Sequence, residues 1–179
     1  MDWLSGMMNR RDFLKATGLG GLVIGLGSTA YRVLGWWNQP AGSGYGVLSR
    51  DEVEILEAVA DAMFPGEEYQ EGGMPNGVEA GVVAHVDSYL AAIDGQVSRL
   101  LRMLVHLIDS HAAISDFRLR RFRDRPRDER IAILKAWDNS SILARRKGFR
   151  GLKLVLAGGY CTHPDVLGAS GIRFRCGGG

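Results

Sequence analysis

The residues able to do chemistry are few and scattered. Four histidines, His85, His106, His111 and His163, and two cysteines, Cys161 and Cys176, are the imidazole and thiol groups of a 179-residue chain. There is no His-Glu-x-x-His pair, no phosphate-cradling P-loop and no Cys-x-x-Cys-His haem attachment. His106 and His111 are five residues apart, so a helix does not set them on one face as it would i and i+4 ligands. Asp87 and Asp109 fall on separate segments with no spacing that pairs them as acid and base. The glycine-rich run from Gly18 to Gly27 has no strand before it, and a dinucleotide fingerprint needs strand, turn and helix in that order. The most pointed constellation is Tyr160-Cys161-Thr162-His163 with Cys176 downstream.

A second group of residues concerns address rather than catalysis. Asn9-Arg10-Arg11-Asp12-Phe13-Leu14-Lys15 precedes an apolar stretch from Ala16 to Ala30 that ends in the small residues Gly27-Ser28-Thr29-Ala30. That is the three-part layout of a secretory leader. Arg10, Arg11, Phe13, Leu14 and Lys15 resemble a twin-arginine (Tat) export signal, with Asn9 where Ser or Thr is commoner. Such signals are read by a receptor and are not anchors in themselves. The resemblance implies export by the Tat translocase to the bacterial periplasm, in association with the inner membrane. Two fates of the leader are open. Ser28 and Ala30 suit cleavage, whereas the apolar run resumes at Val33-Leu34 and ends in Trp36 and Trp37, which suits a retained anchor with an interfacial belt.

Export changes the reading of the cysteines. In an oxidising compartment Cys161 and Cys176 can pair, closing a loop worth roughly 3 kcal/mol in chain entropy. Free thiols are the alternative. A metal site on Cys161 and His163 is a third reading, without a third and fourth ligand at convincing spacing.

Composition bounds the rest. The chain is 46% hydrophobic and 23% charged with a net charge of +2, the profile of a globular domain. Its basic residues are spread over several segments, so nucleic acid is not an expected partner. Residues 1–37 form the signal or anchor, 38–47 a Pro/Gly/Ser-rich linker, and 48–179 one folded domain.

Within that domain the periodicity is helical. Ser49 with Glu52 three residues on predicts a capping box, followed by an inward stripe of Val53, Leu56, Val59, Ala60 and Met63 that stops before Pro65. The segment from Val78 to Ile93 predicts a second helix with Val82, Val83, Val86, Tyr89 and Leu90 inward. A third, from Gly95, carries Leu100, Leu101, Leu104, Leu107 and Ile108. Pro126 marks the start of a fourth, buried through Ile131, Leu134 and Trp137, and Phe149, Leu152 and Leu156 define a last one. The expected fold is all-α: a small irregular bundle of about five helices, preceded by the leader and linker. Phe64, Met74, Tyr160, Val166, Leu167, Ile172 and Phe174 fall on stretches read as irregular, where a small domain has little interior left, and they are the expected core of a partner interface.

The order of four stretches carries a family resemblance. They are Leu48 to Gly66, Pro75 to Leu90, Arg121 to Trp137 and Phe149 to Ile172. Together they resemble the gluconate 2-dehydrogenase subunit 3 family, with Arg125 standing where that family has Leu in a Phe-x-x-Leu segment. The resemblance implies a small accessory subunit with no catalytic residues and no cofactor of its own. Its partner would be an FAD-dependent large subunit of the glucose-methanol-choline type, with a cytochrome c subunit carrying haem c as a further electron acceptor. The small subunit would stabilise the large one and supply its export signal. A self-sufficient periplasmic enzyme and a membrane-anchored interaction protein without a redox partner are the alternatives.

Overall fold

The computed structural model describes residues 41–42, 44–66, 74–115 and 120–169. The leader with Arg10, Arg11, Phe13, Leu14 and Lys15 lies outside them, as do Ile172, Phe174 and Cys176. The described residues form six helices, α1 (Arg50–Met63), α2 (Val82–Ala92), α3 (Gly95–Ser115), α4 (Arg127–Asp138), α5 (Leu143–Cys161) and α6 (Pro164–Ala169). A short 3-10 turn (Phe122–Asp124) precedes α4. No β-strand occurs among the described residues.

The capping box closes as the sequence predicts. The Ser49 amide donates to Glu52 Oε2 at 2.7 Å, and the Glu52 amide donates back to Ser49 Oγ at 3.4 Å. α1 then runs through the middle of the bundle and touches α2, α3, the 3-10 turn and α4. Leu48, Ile55, Leu56, Val59, Val82, Val86, Ile108, Phe122, Leu152 and Leu156 are the fully enclosed centre of the core. α2 lies closely on α5, because Gly159 carries no side chain: a Cβ there would stand 2.9 Å from the Cβ and Cγ of His85. Gly77 serves the same end before α2, where a Cβ would stand 2.6 Å from the Ala60 carbonyl oxygen.

The end of the segment read as a linker is tied down. Asp87 on α2 accepts the amides of Gly46 at 2.9 Å, Val47 at 3.0 Å and Leu48 at 2.8 Å. Its carboxylate thus fixes the entry into α1, and the Ala41 amide closes the loop on the Leu48 carbonyl at 2.8 Å. Pro/Gly composition reports turn propensity and says nothing of a distant carboxylate able to gather the turn's amides.

Three expectations differ from what the fold shows. Tyr89 is exposed on α2 rather than inward. The stretch after Cys161 is helical in α6, with Pro164 and Asp165 in its first turn and Val166 buried. α3 is turned: Leu100 is 64% exposed and Leu107 54%, while Arg102, His106 and Asp109 share the buried face with Val105, Ile108 and Ala112. That face accepts charge because α1 and the 3-10 turn bring partners for it, which periodicity within one helix cannot report.

Candidate functional site

The buried face of α3 brings several ionisable groups together out of water. Glu52 of α1 is wholly enclosed, and Arg102 grips it with two bonds, Nε to Oε1 at 2.8 Å and Nη2 to Oε2 at 2.9 Å. His106, one turn further along α3, places Nε2 3.2 Å from Oε1. Burial by itself would raise the Glu52 carboxyl, but bonds from His106, Arg102 and the Ser49 amide outweigh it and hold the group at about 2. A carboxylate so saturated stays ionised and has little capacity left to accept a proton. Asp109 is the counter-example on the same face: burial pushes it above the usual carboxylate range despite the Arg123 amide at 3.2 Å and the Arg123 guanidinium at 3.8 Å.

The basic run from Arg121 to Arg130 is spent on the acidic face of α1 and on helix ends. Arg123 Nη1 binds Asp51 and Glu54, each at 2.9 Å, and Arg127 and Arg130 both bind Asp61 at 2.7 Å. Arg125, which replaces the Leu of the resembled pattern, is buried and donates Nη2 to the carbonyls of Ala112 at 2.5 Å and Arg120 at 3.1 Å. The guanidinium is accommodated in a buried position by these carbonyls together with Glu129 Oε2, which accepts from Nη1 at 3.2 Å. These groups orient helices and present no open acid, base or nucleophile.

The expected interface residues fall into two sets. Phe64 stacks on Tyr160 with ring centroids 4.3 Å apart, and the Tyr160 hydroxyl donates to the Pro75 carbonyl at 2.9 Å with Met74 Sδ 4.0 Å away. The two stretches that flank residues 67–73 are thereby joined, because Tyr160 sits on the last turn of α5 and turns its ring inward. Tyr160 and Val166 are buried in the chain's own core, while Phe64, Met74 and Leu167 are half-buried. Cys161 is a free, exposed thiol. His163 lies 3.8 Å from Asp165, and no group of three His, Cys, Asp or Glu suited to a metal occurs among the described residues. An apolar cleft of about 260 Å³ opens between α1, α4 and α5 beside Met63, Ile131, Leu134 and Phe149, with Lys153 at its rim held by Asp138 at 2.6 Å.

Sequence reasoning missed the outward face of α3. Val97, Leu100, Met103 and Leu107 recur at helical spacing and are all exposed, and Ile142, Leu143 and Leu154 add apolar surface on and before α5. α3 carries two apolar stripes, and the one shared with Arg102, His106 and Asp109 is the buried one because α1 and the 3-10 turn bring partners for those charges. No helix among the described residues is long and apolar enough to cross a membrane.

No curated protein and no solved structure matches the chain. A family profile described as Gluconate 2-dehydrogenase subunit 3 matches residues 50–176, from the first residue of α1 to beyond α6. The chain belongs to the gluconate 2-dehydrogenase subunit 3 family.

Proposed function

We propose that this chain is the non-catalytic small subunit of a membrane-associated periplasmic dehydrogenase. It stabilises an FAD-containing large subunit of the glucose-methanol-choline type and carries the twin-arginine signal on which the pair is exported folded. The single observation that supports the reading best is membership of a family described as a dehydrogenase subunit, across nearly the whole described domain. The disposition of charge agrees with it. Glu52, Asp51 and Asp61 of α1 are engaged by Arg102, Arg123 and Arg127, whereas Leu100 and Leu107 on the outward face of α3 are exposed.

The physical logic of export is simple. A tightly held flavin is acquired in the cytoplasm, so the flavoprotein has to cross folded, and a translocase that accepts folded cargo needs only one signal for the pair. Electrons would leave the flavin for a cytochrome c subunit, with this chain taking no part in their transfer. The test replaces Arg10 and Arg11 together by Lys in the full chain, co-expressed with the proposed flavoprotein large subunit. Loss of both proteins from the periplasm supports the reading; unchanged periplasmic flavoprotein contradicts it.

A further inference from the structure

α3 and α5 lie side by side and leave an apolar seam with charges of a single sign. Leu104 faces Gly148, where an added Cβ would come within 3.4 Å of both its methyl groups. His111 Nε2 meets Arg145 Nη1 at 3.1 Å further along. Beside this contact Leu100 and Leu107 stand 64% and 54% exposed, and Met103 41%. Across the seam Gly151 has no atom within 4 Å of where a Cβ would be, so α5 presents bare backbone there. The rims are basic. Arg99 on α3 and Lys147 on α5 are exposed. Of the basic residues of α5, Arg150 and Lys153 bind Asp138, Arg145 lies over Trp137 and Arg146 binds the Ser140 carbonyl, so Lys147 carries the rim; α5 has no acidic residue, and the only acid of α3 is the buried Asp109.

We propose that the seam between α3 and α5 is the docking surface for the large subunit and receives from it an apolar ridge flanked by carboxylates. The inference rests on the subunit reading above and adds the surface and the chemistry of its occupant. Bare backbone at Gly151 leaves room for an apolar side chain of a partner beside the exposed Leu100 and Leu107. Cations on both rims, without a carboxylate between them, call for an acidic partner and disfavour a basic one. The network of Glu52, Arg102 and His106 secures α3 from behind, so the leucines are held on a fixed helix and little ordering is needed on association.

The experiment co-expresses the full chain with the proposed flavoprotein large subunit and measures complex formation by size-exclusion chromatography with light scattering. Two double variants, L100D with L107D and R99E with K147E, are compared with R50E on α1. The expected result is a wild-type complex, an unaffected R50E complex, and affinity lowered roughly tenfold or more in each seam variant. Complexes of wild-type strength in both seam variants overturn the seam and leave the subunit reading standing. Failure of the wild-type chain to bind the flavoprotein overturns both. If the seam variants keep the flavoprotein but lose binding to phosphatidylglycerol vesicles, the face belongs to the membrane and the proposal is wrong.

Discussion

Arg102 holds both oxygens of Glu52, at 2.8 and 2.9 Å, across a gap of 50 residues in sequence and with both side chains out of water. The same carboxylate completes the capping box of α1, so one side chain starts a helix and locks its neighbour to it. Removing one partner of such a pair strands a buried charge. Arg102→Ala is expected to cost about 3–5 kcal/mol and lower the melting temperature by roughly 10 °C or more, measured by circular dichroism on the complex and on the lone chain.

The pH dependence follows from the same group. Glu52 is held at about 2 in the folded chain against an ordinary value of 4.5. A depressed folded-state value means that the stabilisation is complete above about 4.5 and is lost as pH falls from there towards 2. Asp109 works in the opposite sense: burial raises its value, so its ionisation opposes folding near neutrality and protonation in acid relieves this. Acid titrations of wild type and Glu52→Gln should therefore differ most above pH 4.5 and converge below it; a constant gap down to pH 2 would contradict the assignment.

Asp87 offers a prediction about order rather than chemistry. Asp87→Ala leaves the amides of Gly46, Val47 and Leu48 without their acceptor and should cost about 2–3 kcal/mol. Amide hydrogen exchange at those three positions should speed up, while the middle of α5 should slow or quicken only with global stability.

Much of this fold is legible in the sequence, for identifiable reasons. Ser49, Glu52 and the apolar stripe of α1 are local signals, as are Leu134, Trp137, Phe149, Leu152 and Leu156, and all of these were placed from spacing alone. The burial of Arg102, His106 and Asp109 is not local. It depends on charges supplied by α1 and the turn before α4, so a reading of α3 by itself put Leu100 and Leu107 inside. Tyr160 and Val166 fall on a stretch that reads as irregular in the sequence. Gly159 is instead the point where α5 approaches His85, and Pro164 opens a helix.

The glycines of α5 separate these roles. Gly159→Ala drives a Cβ into His85 and is expected to destabilise by about 1–3 kcal/mol. Gly151→Ala meets no atom of the described residues within 4 Å and should stabilise the chain by about 0.5–1 kcal/mol through helix propensity. If the large subunit fills the α3–α5 seam, the second substitution weakens the complex while raising the melting temperature of the lone chain. Urea unfolding of the chain and light scattering of the complex report the two effects separately.

Co-purification with the proposed flavoprotein large subunit tests the central claim most directly. The full chain and that flavoprotein are expressed together and apart, and the periplasmic fraction is followed by light scattering, flavin absorbance and dehydrogenase activity. The account predicts one co-eluting complex with bound flavin and activity, no exported flavoprotein when the chain is omitted, and no flavin absorbance from the chain alone. A flavoprotein that is stable, active and exported without the chain, with the two proteins eluting apart, would contradict it.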